Sequence, residues 1–147
     1  MVPFSCLFIY EAVRAYVSER APGRGRLPWL AAAAACAAAA VLLRARLYTC
    51  TVLAAASAFF LAAALVAPGL LWGRRFWIAI GLSYVPFLLF NGILTGLPVV
   101  TYGEKAIVGI RLLSIPAEDF FYSFSLLGFA MLAYTRVRRS DGAPRSP

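Results

Sequence analysis

The sequence predicts an all-α fold, a polytopic transmembrane bundle of about five helices. Hydrophobic residues make up 63% of the 147 residues, and the mean hydropathy is +0.82. Charged residues make up 14%, against about 25% in an ordinary soluble domain. The fourteen basic residues form short clusters between apolar runs, a pattern typical of membrane loops and not of a nucleic-acid surface. The length indicates one domain.

The first two helices are predicted from an apolar run and an alanine-rich run. Residues 1–17 are near the lower length limit for a membrane span, and Glu11 and Arg14 are spaced to pair on one helix face. No positive region precedes this apolar run, so it is not typical of a secretory signal. The run 28–43 has high helix propensity but is weakly hydrophobic, so we expect it to pack among other helices.

Two uncharged runs predict the next two helices. Residues 47–72 are long enough to span a membrane with tilt. Residues 76–103 include Pro86, Asn91 and Thr95. Irregular helices at membrane depth line cavities that the protein encloses, so the end of this run predicts a distorted helix end beside a pocket. Ordinary polar packing between helices explains Asn91 and Thr95 equally well.

The last helix begins with two adjacent carboxylates. After a re-entrant or interfacial loop at 102–115, we predict a helix from Pro116 to Tyr134, because proline is favoured in a first turn. Glu118 and Asp119 then lie in that turn. Because a charge near lipid is costly, carboxylates there usually mark a site or a proton path. The pair is therefore the candidate catalytic site.

The distribution of basic residues predicts the orientation. We expect one transmembrane domain over residues 1–135 and a disordered basic tail over 136–147. Nine arginines fall on one side of the five-span topology and four basic residues on the other, which predicts a cytoplasmic C-terminus. The nine are Arg20, Arg24, Arg26, Arg74, Arg75, Arg136, Arg138, Arg139 and Arg145, and the four are Arg44, Arg46, Lys105 and Arg111.

Neither a metal nor an organic cofactor is expected. Cys6, Cys36 and Cys50 lie in or beside apolar segments, and the chain has no histidine and no CxxC pair, so we interpret them as small packing residues. No GxGxxG motif follows a strand, which argues against a dinucleotide or flavin site. No HxxxH or Asp-rich motif indicates a metal-dependent prenyl transferase.

The stretch FNGILTGLPVVTYGEKAIVGIRLLSIPAEDFFYSF, residues 90–124, carries a family resemblance. Its NGxLTG helix end, loop tyrosine, GIR step and PxED followed by aromatics resemble the signature of the membrane-integral lycopene cyclase domain. That domain occurs in heterodimeric bacterial lycopene cyclases and in fungal fusions with phytoene synthase. The N-terminal MVPFSCLFIYEAVRAYV is similar to the family segment that follows an earlier PxEE motif.

The resemblance implies that this chain is the C-terminal part of a pseudo-repeat. In the family the unit of helices, loop and PxE(E/D) helix occurs twice, and this sequence carries the second copy. Three explanations for the single copy remain open: the gene is truncated, its start is misplaced, or a separate chain supplies the first half. We therefore expect a second cyclase half as partner, a carotenoid substrate, membrane lipid around the bundle, and a location in the bacterial inner membrane.

The implied chemistry is the cyclisation of the open ψ end of lycopene. A carboxylic acid protonates a terminal double bond, the cation closes a ring, and a base removes a ring proton. We expect apolar burial and like-charge coupling to keep one carboxyl group neutral, against the opposing effect of a helix N-terminus of about 0.3–1 kcal/mol. Glu118 is the expected acid or base, and Asp119 its orienting or charge-coupled partner.

Further residues of the same stretch are expected to support the site. Aromatic rings stabilise cations through their π faces and exclude water, although a lipid-facing belt explains each ring as well. Arg111 is a candidate partner for a carboxylate. The predicted supporting residues are Asn91, Thr95, Tyr102, Arg111, Phe120, Phe121 and Tyr122, with Phe90 as a further aromatic.

The sequence leaves several alternatives open. A non-catalytic membrane scaffold or a proton-coupled, transporter-like subunit also explains carboxylates in a membrane segment. Within the cyclase interpretation, the ring product (β, ε or γ) and the substrate (a C40 or a C50 carotenoid) are both undetermined, and so is activity of this chain without a partner.

Overall fold

The computed structural model describes residues 2–19, 25–97, 99–100, 102–103, 106–112 and 114–141. Within these residues the chain forms five α-helices and one short antiparallel hairpin, which confirms the all-α prediction. The elements are α1 (Val2–Tyr16), α2 (Leu27–Leu42), α3 (Leu47–Val66), α4 (Arg74–Gly96), β1 (Arg111–Leu112), β2 (Ile115–Pro116) and α5 (Ala117–Asp141).

Three of the described helices are long and apolar enough to cross a membrane, as expected of a membrane protein. They are α3, α4 and the part of α5 over Ala117–Arg138. The alanine-rich α2 has 16 residues and is therefore about 24 Å long, at a rise of about 1.5 Å per residue. This length is less than the thickness of the membrane hydrocarbon core, which is about 30 Å. It packs along α3, where the Ser57 hydroxyl donates to the carbonyl of Ala33 (2.8 Å).

Helices α3 and α5 run parallel, and α4 runs against them. The start of α3 contacts the start of α5 through Tyr48 and Asp119, and at their far ends Arg136 donates to the carbonyl of Val66 (3.1 Å). Near the end of α4, Asn91 also reaches Asp119. The bundle therefore has an acidic end, formed by the starts of α3 and α5 and the end of α4.

The opposite, basic end is formed by the ends of α1, α3 and α5 and the start of α4. There Glu11 accepts hydrogen bonds from Arg14 (2.8 Å) and from Arg138 (2.6 Å), so it links α1 to α5. The predicted pairing of Glu11 with Arg14 is confirmed. Nearby, Arg75 lies 3.5 Å from Glu19 and donates from Nε to the carbonyl of Val17.

Some element boundaries differ from the sequence prediction. Helix α5 continues to Asp141, past Tyr134, so the first part of the predicted tail is helical, while residues 142–147 lie outside the described residues. Pro116 belongs to β2 and directly precedes α5. Helix α4 continues through Pro86 to Gly96, at the cost of one backbone hydrogen bond.

The predicted loop at 102–115 contains the β1–β2 hairpin instead of remaining irregular throughout. Several residues of the predicted loops, distorted helix end and tail lie outside the described residues, namely Pro98, Glu104, Lys105, Arg20, Arg24 and Arg145.

The core between α3 and α5 depends on a close approach at Gly128. Phe59 is fully buried, and its ring contacts Phe76 (centroids 6.1 Å apart) and Phe124 (5.3 Å). A Cβ atom at Gly128 would lie 2.5 Å from the Phe59 ring. Because the surrounding rings leave Phe59 little room to move, only glycine lets the two helices approach this closely.

We predict that Gly128→Ala lowers the free energy of unfolding by about 1–3 kcal/mol, because the added methyl group overpacks the core against Phe59. Gly81→Ala is the matched control, since a Cβ there meets nothing within 4 Å and alanine is the better helix former by up to about 1 kcal/mol. Denaturant titration in detergent micelles measures both. Equal stability of the two variants would contradict the role of Gly128.

Candidate active site

Glu118 and Asp119 lie in the first turn of α5, as the sequence predicts, and both are buried. The two residues are 5% and 3% exposed. Adjacent residues on a helix point about 100° apart, so the two carboxyl groups enter different surroundings. Buried carboxyl groups require hydrogen-bond donors, and the structure supplies a separate set for each.

Asp119 is held by three donors from three parts of the chain. The Tyr48 hydroxyl on α3 donates to Oδ1 (2.5 Å), the Tyr102 hydroxyl in the loop after α4 donates to Oδ2 (2.6 Å), and the Asn91 amide on α4 donates to Oδ2 (2.8 Å). The rings of Tyr48 and Tyr102 pack together with centroids 5.5 Å apart. Both carboxyl oxygens of Asp119 are thus fixed in position.

Glu118 points toward α3 and the loop before the hairpin. Its Oε1 accepts from the Thr49 hydroxyl (2.7 Å) and from the backbone N–H of Val108 (2.7 Å). In the described part of the chain, its buried Oε2 has no hydrogen-bond partner. The loop also covers the start of α3, because Ala106 accepts from the backbone N–H of Tyr48 (3.1 Å) and Arg46 donates to the carbonyl of Ile107 (2.6 Å).

Burial, together with the hydrogen bond to Asp119, raises the pKa of the Tyr102 phenol above its ordinary value near 10. The proton therefore stays on this hydroxyl throughout the neutral range. Tyr102 is a permanent donor to Asp119 under these conditions.

A largely apolar cavity of about 560 Å³ lies beside Asp119, between α1, α4 and α5. Asp119 lines it, whereas Glu118 is not among the lining residues. The wall consists of Ser5, Cys6, Ile9, Tyr48, Ser83, Pro86, Phe87, Phe90, Asn91, Leu94, Tyr102, Asp119, Tyr122, Ser123 and Leu126. A carboxyl group such as that of Asp119, placed in the wall of an apolar pocket, is typical of a small-molecule site.

The structure brings several predicted supporting residues to this cavity. Asn91 and Tyr102 bind Asp119 directly, and Tyr122 and Phe90 line the wall. Thr95 lies one turn beyond Asn91, donates to its carbonyl (2.8 Å), and shares a hydrogen bond with Ser114 of the hairpin (2.8 Å). Thr95 therefore connects the end of α4 to the hairpin.

Other predicted residues lie outside the cavity wall. Arg111 is exposed, and its guanidinium donates to the carbonyl of Ser114 (3.3 Å), with no carboxylate partner among the described residues. Phe121 is 45% exposed on the outer face of α5. Phe120 stacks on Tyr84 (centroids 5.9 Å apart) behind the cavity wall.

Tyr48 and Thr49 were missed by the sequence analysis, which interpreted 47–72 as an uncharged span. A usable signal was present, because two adjacent hydroxyl residues open α3 directly after Arg46. In the five-span topology this helix start lies on the same side as Glu118 and Asp119.

Among the described residues, no group of three histidine, cysteine, aspartate or glutamate side chains is arranged to hold a metal ion. The arrangement instead offers one cavity-facing carboxyl group with fixed hydrogen-bond donors. Such a group is suited to proton transfer to and from an apolar ligand.

Comparison with known protein families identifies a match to much of the chain. The family model described as lycopene cyclase matches residues 45–137, which include all four residues of the Asp119 hydrogen-bond set. No curated protein and no solved structure matches the chain.

We predict that Thr49→Val lowers the free energy of unfolding by about 1–3 kcal/mol, because it removes a donor from the buried Glu118 carboxyl group. Thr51→Val is the matched control on the same helix, since in the described part of the chain the exposed Thr51 hydroxyl donates to the Leu47 carbonyl one turn earlier. We expect the control to stay within about 0.5 kcal/mol of the wild type. Thermal unfolding in detergent compares the two, and an equal loss in both would contradict the assigned contact.

Proposed function

The chain belongs to the lycopene cyclase family, and from this premise we propose that it acts in carotenoid biosynthesis by cyclising the open ψ end of lycopene to an ionone ring. The observation that carries the proposal is the Asp119 carboxyl group, buried at an apolar cavity with both oxygens held by donors. We therefore propose an isomerase that uses no cofactor.

The reaction proceeds by proton transfer and ring closure. A carboxylic acid donates its proton to the C1=C2 double bond, which leaves a tertiary cation at C1. The electrons of the C5=C6 double bond form the C1–C6 bond, and the cation moves to C5. Loss of a neighbouring proton to a base forms a new double bond. Because one proton is gained and one is lost, the substrate and product are isomers.

We propose Asp119 as the group that gives and takes these protons. It is the carboxyl group at the cavity wall, whereas the sequence favoured Glu118 for this role. When Asp119 gives up its proton, Tyr48, Tyr102 and Asn91 already point at the oxygens where negative charge develops. Fixed donors of this kind stabilise a transition state without reorganisation. The resulting carboxylate then serves as the base.

Glu118 is proposed as a positioning residue. Through Thr49 and the Val108 N–H it ties the start of α3 and the covering loop to α5. Its neighbour Asp119 is oriented by the same first turn. Glu118 thus keeps Tyr48 and Asp119 within hydrogen-bond distance without facing the cavity itself.

The cavity size and wall suit one end of a carotenoid. A volume of about 560 Å³ is in the range of sites that hold drug-sized molecules, so we propose that one ψ end enters while the rest of the chain extends into lipid. We propose that Phe87, Phe90 and Tyr122, which line this cavity, stabilise a cation through their rings and exclude water that would trap it.

We propose that the basic end of the bundle faces the cytoplasm of a bacterial cell and that the acidic end faces the opposite side of the inner membrane. Described arginines at the basic end are Arg14, Arg26, Arg74, Arg75, Arg136, Arg138 and Arg139, and those at the acidic end are Arg44, Arg46 and Arg111. An excess of arginine on one side favours its cytoplasmic placement.

A second cyclase half is proposed as partner. The family unit that ends in an acidic pair occurs twice, and this sequence has one copy. The first turns of α1, with Ser5, Cys6 and Ile9, form the cavity wall opposite α5. We propose that a PxEE-bearing half adds its own carboxyl groups near this wall, so that two acidic pairs face one substrate end.

We predict that Asp119→Asn lowers cyclic carotenoid formation by at least about 100-fold, because it removes the cavity-facing acid. Glu118→Gln should lower it less than about tenfold, since glutamine keeps an oxygen that accepts from Thr49 and Val108. Chromatography of pigments from lycopene-producing cells that also express a PxEE-bearing half measures both. If Glu118→Gln removes the product and Asp119→Asn does not, the roles are reversed.

We further predict that the chain alone leaves such cells red with lycopene and that co-expression of the PxEE-bearing half turns them yellow with cyclic product. The empty vector and the PxEE-bearing half alone are the controls. Cyclic product from this chain alone would remove the need for a partner, and no cyclic product from the pair would contradict the cyclase function.

A further inference from the structure

We propose that Tyr48, Tyr102 and Asn91 determine which ring the site produces, because they fix the Asp119 carboxylate relative to the cyclised cation. This inference rests on the proposed function and deepens it by assigning the product specificity of the same site. Tyr48 was not predicted from the sequence, and its role follows from the geometry around Asp119.

Ring type depends on which proton the base removes. After ring closure the positive charge is on C5, and protons can leave from C6, from C4 or from the methyl group on C5. In each case the C–H electrons form the new double bond and the proton passes to the Asp119 carboxylate. The products are the β, ε and γ rings respectively. All three carbons are bonded to the same atom, so a base displaced by about 1 Å reaches a different proton.

The Asp119 carboxylate is held against such displacement. Its donors come from α3, α4 and the loop that carries Tyr102, at 2.5, 2.8 and 2.6 Å. Rotation of the carboxylate lengthens at least one of these bonds. Hydrogen bonds to an ionised group are stronger than neutral ones, so the arrangement resists rotation most when Asp119 acts as the base.

The elements that carry the donors are themselves connected. The backbone N–H of Tyr48 donates to the carbonyl of Ala106 (3.1 Å), in the loop that also carries Tyr102. Thr95 links the Asn91 carbonyl to Ser114 of the hairpin. These hydrogen bonds tie the elements that carry the donors to their neighbours at the cavity wall, which is the kind of support that a selective site requires.

The two oxygens of Asp119 are held unequally. Among the described residues, Oδ2 has two donors, Tyr102 and Asn91, whereas Oδ1 has Tyr48. Loss of the Tyr102 hydroxyl leaves Oδ2 with Asn91. Loss of the Tyr48 hydroxyl frees Oδ1, so Tyr48 should have the larger effect on ring type.

The test is the ratio of ring types in lycopene-producing cells that co-express a PxEE-bearing half. We expect Tyr48→Phe to raise the ratio of minor to major ring type by about tenfold or more, and Tyr102→Phe to raise it by less. Asp119→Glu keeps the acid but moves it by one methylene group, so it should also change the ratio. Tyr16→Phe is the matched control, since Tyr16 is 90% exposed on α1, and it should leave the ratio unchanged.

The outcomes separate this inference from the proposed function. A lower total yield with an unchanged ratio in Tyr48→Phe, Tyr102→Phe and Asp119→Glu would overturn it, because a merely structural role changes the amount of product and not its type. No cyclic product from the wild-type pair would overturn the proposed function and this inference with it. A changed ratio in Tyr48→Phe at wild-type protein level would support it.

Discussion

The structure depends on the pairing of two adjacent carboxyl groups with two adjacent hydroxyl groups. Tyr48 and Thr49 open α3, Glu118 and Asp119 open α5, and each hydroxyl donates to a different carboxyl group. Burying an unpaired carboxyl group costs several kcal/mol, so the two parallel helices are constrained to begin side by side. This constraint creates the acidic end, where Asp119 lines the cavity between α1, α4 and α5.

Much of the fold could be predicted from composition and run length. The two uncharged runs predicted α3 and α4. Pro116 correctly indicated that Glu118 and Asp119 lie in the first turn of a helix. Helix ends were less predictable, because α5 extends to Asp141 through a basic segment that composition alone does not distinguish from a tail. The hairpin depends on only two paired residues in each strand, which give no periodic pattern.

The sequence indicated where the candidate site lies but not which carboxyl group faces the cavity. Which carboxyl group faces the cavity depends on how α5 is rotated about its axis, and contacts with α3 set that rotation across about 70 positions of sequence. Tyr48 was missed for the same reason, since its role exists only through the parallel packing of the two helices. Arg111 was expected near a carboxylate because it is close in sequence, but the hairpin directs it to Ser114.

The contact between Gly128 and Phe59 has a genetic consequence. Gly128 lies nine positions after Asp119, about 14 Å along the axis of α5, and it limits how closely the whole helix approaches α3. A single methyl group there would spread the two helices, and a small tilt would separate their paired starts. In a screen for red colonies among yellow ones, loss-of-function alleles should therefore map to this interior glycine as well as to the acidic residues.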